Sequence, residues 1–440
     1  MSTEVRAPAP EADAGAVDPG AHRWPGEQQM VWTIWLTYGA FYFCRTNISA
    51  AVPGMHEPTS AGGLGLTGLQ TGAILASLKI AYGFGQLLNG QLSERISPRV
   101  LLAIGMFVSA ALNVVFGLGA GYFFLLFVWA TNGYVQSLGW TPCVRVVSNW
   151  IPVLRRGHAI GIIGTGYQVS ASLTYLVSTQ SAEHFGWRGA LLVPSALLVA
   201  SAFVMLLFLR ESPTDGATES QNVLQPQPRL QLSALDVALM TLSNRALWLL
   251  GLSLGLLNAC RYGFVDWGVA HLTEIQKIGV GKAGLQYFVL PLGGVAGAYL
   301  TGWATDRFFS GRRAPVIAGL LVLLGLLTIV YESVAQTSGP ATLALLVVIG
   351  FCVFGPQVLL VGTAPADLAR RGTAAAAAGF VNFLGYMGAS AGDVVTGYYK
   401  EQEHGGWQVA IYIWAGWAFA AALCAGLLWN ASAANEEQAD

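Results

Sequence analysis

The sequence predicts an all-α membrane protein: twelve transmembrane helices in two pseudo-symmetric six-helix halves. Three observations predict it. Of 440 residues, 54% are hydrophobic and 10% charged, with a mean hydropathy of +0.54; a water-facing domain usually carries about 25% charged residues. Apolar stretches of about 20 residues, long enough to cross hydrocarbon as a helix, can be marked twelve times. Landmarks in the first half of the chain return in the second at a nearly constant offset.

Residues 1–29 are rich in Ala, Pro, Glu and Gly and lack the basic start and apolar run of a signal peptide, so a disordered tail is expected. The spans follow at 30–52, 66–90, 99–117, 121–145, 157–180 and 187–209. These make up a first half, 30–210. A polar, Gln- and Pro-rich stretch, 211–245, reads as a linker. The second half, 246–430, carries spans at 246–271, 283–305, 314–334, 341–363, 373–399 and 407–429, and a polar tail, 431–440, ends the chain. Each span must be helical, because lipid offers no partner to open backbone groups.

Basic residues crowd one set of loops. Arg95, Arg99, Arg155, Arg156, Arg210, Arg229, Arg245, Arg307, Arg312, Arg313, Arg370 and Arg371 lie on one side. The other side has Arg188, Lys277, Lys282 and Lys400. By the positive-inside rule both termini are cytoplasmic, in a multi-pass protein of the cell (inner) membrane. The five cysteines fall in or at the ends of spans and read as free thiols packing as small hydrophobes. The six histidines are scattered, and no phosphate-cradling loop, nucleophile triad or metal cluster is evident. No catalytic residue, cofactor, metal or nucleic-acid partner is expected; the chain reads as a carrier rather than an enzyme, working as a monomer in the bilayer.

The halves align. Gly90 of GQLSERISPR answers Gly302 of GWATDRFFSGRR, Pro142 answers Pro356, Arg156 answers Arg371, and Arg45 answers Arg261, at offsets of 212, 214, 215 and 216. Parallel repeats with a midplane site between them describe a transporter plan. Arg45 and Arg261 are the main clue. A guanidinium at a span centre costs roughly 2.5 kcal/mol or more, and its planar fork suits a phosphate or carboxylate. One arginine from each half would close on an anion, which would also cancel their repulsion. The competing reading pairs Arg261 with Asp266.

Polar side chains recur at helical spacing around these arginines. Tyr38, Tyr42 and Arg45 share one face, as do Asn258, Arg261 and Tyr262 within one turn, and Asn382 and Tyr386. These stripes are expected to face a cavity. Asn132, Gln136 and Trp140 have the same form and read equally as glue between helices. Lys79 and Asp393 are further intramembrane charges. Lys79 either pairs with Asp393 or touches the anion, and Asp393 is also a candidate proton carrier.

The loop GQLSERISPR and its second copy resemble the signature of the major facilitator superfamily. Longer stretches resemble its organophosphate:phosphate antiporter family: YGAFYFCRTNISAAVPGM, NGYVQSLGWTPCVRVVSNWIPVLRRG, RYGFVDW and GTAAAAAGFVNFLGYMG. The resemblance covers about residues 30–429. It implies that Arg45 and Arg261 hold a substrate phosphate and that Tyr38, Tyr42 and Tyr386 line the cavity. It also implies that spans two and eleven meet on the outer side, where a Lys79–Asp393 bridge would close a gate. Three positions depart from the family pattern: Thr46 and Gln86 stand where lysines are usual, and Tyr167 where a relative has histidine.

The expected function is exchange of a phosphorylated small metabolite, or a phosphonate-like organic anion, for inorganic phosphate by alternating access. The candidate substrate-binding residues are Arg45, Arg261, Tyr38, Tyr42, Lys79, Tyr167, Asn258, Tyr262, Asn382 and Tyr386; the candidate gate is Lys79 with Asp393. Two other readings remain: a membrane sensor of an external phosphorylated sugar that signals to a kinase, and a proton-coupled organic-anion or efflux carrier.

Overall fold

The computed structural model describes residues 24–93, 95–213, 233–309, 311–337, 339–370 and 373–431. Helix α1 is made of Glu27–Ala40 and Ile48–His56, joined by a 3₁₀ turn, Phe41–Cys44. Then come α2 (Gly68–Ser93), α3 (Pro98–Leu118), α4 (Tyr122–Gln136 continued by Trp140–Trp150), α5 (Val153–Phe185) and α6 (Gly189–Phe208). The second six are α7 (Arg245–Gln276), α8 (Val280–Phe308), α9 (Ala314–Thr337), α10 (Gly339–Asp367), α11 (Ala374–Tyr399) and α12 (Gly406–Gly426). Each covers one of the twelve expected stretches, and no strand occurs among the described residues.

Local chemistry sets several boundaries. Ser97 caps α3 by accepting from the Val100 amide, with Pro98 at the first helical position. Asn244 caps α7 by accepting from the Ala246 amide. Residues 214–232, most of the expected linker, lie outside the described residues, as do 1–23 and 432–440 of the expected tails. The end of the linker differs from expectation. Ala234–Leu242 is a short helix started by a capping box between Ser233 and Asp236.

Packing repeats in the two halves. Helix α1 lies against α5 and α6, as α7 lies against α11 and α12. The pairs α2–α4 and α3–α6 answer α8–α10 and α9–α12. The halves meet through α2–α11 and α5–α8, which are equivalent under the pseudo-two-fold. Outward-facing Ile104, Phe127, Phe203, Leu207, Leu326 and Leu423 present apolar side chains at the perimeter.

Among the described residues seven helices, α3, α6, α7, α8, α9, α10 and α12, are long and apolar enough to cross a membrane by length and hydropathy alone. The other five are interrupted (α1, α4) or carry polar residues inward. Thr71, Lys79 and Asn89 are buried on α2, Gln168, Ser170 and Thr174 on α5, and Ser390, Asp393 and Thr396 on α11. The helices that look least like membrane spans are those around the centre, where protein rather than lipid surrounds the polar groups.

Contacts between the halves gather at the end opposite the termini. There α2 and α11 touch backbone to backbone: a Cβ on Gly68 would strike the Gly397 carbonyl, and one on Gly72 the Asp393 carbonyl. Glu401 accepts from the Gly68 amide at 2.6 Å, and Glu183 from the Gly281 amide at 2.8 Å. Toward the terminal end, Gly164, one turn before Tyr167, and Gly379, one turn before Asn382, have nothing within 4 Å of an added Cβ. The centre is closed on one side and less obstructed on the other.

Candidate functional site

Breaks in helical regularity place both arginines. In α1 the 3₁₀ turn Phe41–Cys44 ends at Arg45. In α7 a π turn, Gly263–Trp267, begins two residues after Arg261. Such departures free backbone groups and reorient side chains, and they gather at functional positions. The two guanidinium groups line one small cavity of about 20 Å³, with room for about one water. Tyr42, Thr46, Lys79, Trp129, Tyr262 and Asp266 share the lining.

Arg45 is buried and held. Its Nε donates to Gln136 Oε1 at 3.1 Å, and its terminal nitrogens reach Tyr42 Oη at 3.4 Å and the Gln136 carbonyl at 3.5 Å. The guanidinium lies over the rings of Tyr82 and Tyr42, at 4.4 and 4.7 Å. Arg261, equally buried, lies over Tyr262 (4.7 Å) and Phe354 (5.0 Å), and its Nε has no hydrogen-bond partner. Among the described residues neither arginine has a carboxylate partner. Cation–π contact offsets part of the desolvation, by about 0.5–2 kcal/mol, and leaves the charges without a counterion.

Aromatic residues surround the pair. Tyr42 stacks on Tyr167 at 5.1 Å, while Tyr38 meets Trp140 at 4.7 Å and Tyr82 meets Tyr386 at 4.8 Å with tilted rings. Asn258 donates to the Gly385 carbonyl at 3.1 Å, while its Oδ1 is buried without a partner. Asn382 meets Gln86 at 3.3 Å across the α2–α11 contact.

Lys79 pairs with Asp393 and also with Asp266. All three side chains are buried, with relative exposures of 3%, 0% and 5%. The pairing of Asp266 with Arg261, open on sequence grounds, is absent: Asp266 goes to the lysine of the other half. Lys79 also lies over the Tyr262 ring at 4.3 Å. One turn and more farther from the termini, Lys400 meets His56 at 2.7 Å and Glu274 at 3.3 Å, and Trp407 donates to Glu274 at 2.6 Å.

The structure thus brings Arg45, Arg261, Tyr38, Tyr42, Tyr167, Tyr262 and Tyr386 around one centre. Lys79 and Asp266 share the cavity wall with the arginines, and Asp393 meets Lys79 behind it. The structure does not put Gln136 or Asn132 on the cavity wall; both are fully buried in packing. Tyr82, under Arg45, escaped the sequence reading, because a tyrosine in an apolar span is unexceptional. Its only signal was helical spacing: three residues after Lys79 and four before Gln86.

Comparison with known proteins agrees with this architecture. The family model described as Major Facilitator Superfamily matches residues 34–392. The glycerol-3-phosphate transporter of Bacillus subtilis is 30% identical over 374 residues, covering 81% of this chain and 82% of that one. The membrane sensor protein UhpC of Salmonella typhimurium is 30% identical, covering 90% and 88%. A probable hexose phosphate transport protein of Chlamydia trachomatis is 28% identical, covering 92% and 91%. Among solved structures, a peptide transporter POT in complex with sulfate has a TM-score of 0.73 at 16% identity, over 92% of this chain and 94% of that one. With the family model spanning most of the chain, and relatives of this kind aligned along nearly all of it, the protein belongs to the Major Facilitator Superfamily and, within it, to the organophosphate:phosphate antiporter family.

Proposed function

We propose that this protein carries a phosphorylated small metabolite across the cell (inner) membrane in exchange for inorganic phosphate. The observation that carries the reading is the pair of buried guanidinium groups, one from each half, facing one cavity without an acid partner. A phosphate dianion supplies the missing counter-charge and accepts bidentately from both forks. Relatives named as transporters of glycerol 3-phosphate and hexose phosphate support the phosphorylated substrate.

Alternating access follows from the packing. Residues 30–210 and 246–430 act as two bodies that rock about the shared site, joined by 211–245, with both termini in the cytoplasm. The conformation described here is then closed outside, with the arginines in a cavity of about 20 Å³. The Lys79–Asp393–Asp266 cluster crosses the boundary between the halves on the outer side of the arginines. It serves as a gate that must part before the site faces outward. Tyr38, Tyr42, Tyr167, Asn258, Tyr262, Asn382 and Tyr386 line the path of the substrate's organic part. The monomer holds the complete site.

The test is counterflow. Purified protein in liposomes loaded with phosphate should take up labelled phosphate, glycerol 3-phosphate or a hexose phosphate, and the Arg45→Ala, Arg261→Ala double variant should not. Uptake that needs a proton gradient and ignores internal phosphate would overturn the exchange reading. A sensor role, suggested by the relationship to a membrane sensor protein, would give ligand binding with no counterflow.

A further inference from the structure

We infer that Gln136 is a positioning residue that presets Arg45 before the anion arrives, so that the two arginines are not equivalent: Arg45 is fixed and Arg261 adapts. The inference rests on the phosphate-site reading above. It starts from the break in α1. The 3₁₀ turn Phe41–Cys44 leaves carbonyl oxygens of that segment to find partners outside the helical ladder. In a span these cannot turn to lipid, so buried amides from α3 and α4 meet them. The Phe41 carbonyl accepts from Gln136 Nε2 at 3.0 Å. The Cys44 carbonyl accepts from Asn132 at 3.0 Å, Asn113 at 3.2 Å and Gln136 at 3.4 Å.

The network also fixes which end of the Gln136 amide faces which way. Gln136 Nε2 donates to Ser109 Oγ at 2.7 Å, and Ser109 in turn donates to Asn132 Oδ1 at 2.7 Å. With its NH₂ group committed to Phe41 and Ser109, Gln136 must turn Oε1 to Arg45 Nε, at 3.1 Å. The Gln136 carbonyl takes one of the terminal nitrogens as well. Gln136, Ser109, Asn132 and Asn113 are all 0% exposed, so the arrangement has no room to reorganise. It grips Arg45 from behind and leaves part of the fork turned to the cavity.

Among the described residues nothing comparable holds the second arginine. Arg261 touches ring faces, its Nε is unpartnered, and the Asn258 Oδ1 one turn earlier is unpartnered too. The half that carries Arg45 therefore enters the cycle with its donor aimed. The other half completes its hydrogen bonds only when an anion is present.

The experiment measures inorganic phosphate binding to the full-length detergent-purified protein by calorimetry, with melting temperature read alongside. Gln136→Met keeps side-chain length and removes the acceptor; it should weaken phosphate binding by about tenfold or more, the loss of a bond to a charged group. Asn113→Leu breaks one bond to the same Cys44 carbonyl, and one to the Ser109 carbonyl, without touching Arg45. It should lower the melting temperature and leave the phosphate affinity within about twofold. Ser109→Ala, a milder change, removes the hydroxyl that orients the amide and should weaken binding about threefold, which keeps the test decisive if Gln136→Met does not fold. Equal affinity losses in Asn113→Leu and Gln136→Met, or native affinity in both Gln136→Met and Ser109→Ala, would overturn the inference. Should the unaltered protein bind no phosphate, the proposed function itself has failed. Native affinity in Gln136→Met together with loss in Arg45→Ala removes only the positioning role.

Discussion

Lys79 of α2 and Asp393 of α11 form an ion pair across the boundary between the two halves, and Asp266 of α7 joins them. One lysine thus faces two acids, beside two arginines that pair with none among the described residues. Removing one member of a buried pair costs about 3–5 kcal/mol where the partner charge has no other counterion. Here the third member cushions the loss.

The first prediction follows from that arithmetic. Asp393→Asn leaves Lys79 paired with Asp266, so the protein should fold with a modest loss of stability. Its halves should be held together less tightly on the side away from the termini. Transport should slow several-fold, and Thr46→Cys in the cavity wall should become more reactive to a membrane-impermeant thiol reagent applied outside. The reciprocal change, Lys79→Asp with Asp393→Lys, should recover part of the rate. If Lys79→Gln instead abolishes phosphate binding and the swap rescues nothing, Lys79 belongs to the anion site.

A second prediction concerns the fork. Arg45→Lys and Arg261→Lys keep the charge but lose the planar pair of donors. Each should reduce exchange at least about a hundredfold, from the loss of bidentate, charge-assisted bonds. The asymmetry at Gln136 adds a distinction: Lys at position 45 also abandons an acceptor that has no other donor of this kind. Arg45→Lys should therefore lower the melting temperature more than Arg261→Lys. Near-native exchange in either variant would remove the clamp.

The third prediction is about substrate charge. Thr46 and Gln86 are uncharged, and Lys79 is paired with two carboxylates. Beyond the two arginines, the described residues of the cavity wall therefore offer an anion no uncommitted cation, while Asp266 contributes to the lining. A phosphate ester whose remainder is neutral should compete with phosphate better than one whose remainder carries a carboxylate or second phosphate, by about tenfold or more. Inhibition of phosphate exchange by glycerol 3-phosphate and 3-phosphoglycerate at matched concentration is the comparison. Equal potency would mean that Lys79 leaves its acids when substrate binds.

These relationships were legible in the sequence to different depths. Charges in apolar sequence stand out, so Arg45, Arg261, Lys79 and Asp393 could be singled out and the halves aligned. The partner of Asp266 could not be read. It lies five residues after Arg261, and the π turn Gly263–Trp267 makes direction unreadable from spacing. Gln136 shows the other limit. A glutamine on a span looks the same whether it faces water or caps a broken helix, and only the tertiary contact with Phe41–Cys44 decides. The helix Ala234–Leu242 was hidden by the Gln- and Pro-rich stretch before it, although Ser233 and Asp236 carried a capping signal.

The last prediction separates shape from charge in the closure of the halves. Gly72 on α2 lies where a Cβ would sit 2.5 Å from the Asp393 carbonyl oxygen, and no real side-chain carbon tolerates that distance from backbone. Helices α2 and α11 can touch there only because Gly72 has no side chain, as small residues allow elsewhere in membranes. Gly72→Val keeps every charge of the Lys79 cluster and wedges the same contact apart. The protein should insert and bind phosphate, because neither Gly72 nor Asp393 lines the cavity of the arginines, but it should resist the conformation described here. Exchange should fall at least about tenfold, the effect of roughly 1.4 kcal/mol against closure. Outside labelling of Thr46→Cys should rise as it does for Asp393→Asn. Combining Gly72→Val with Asp393→Asn should add little further labelling, because both release one contact. Full exchange activity in Gly72→Val would show that α2 and α11 need not approach this closely during transport, and the gate would then have to lie elsewhere.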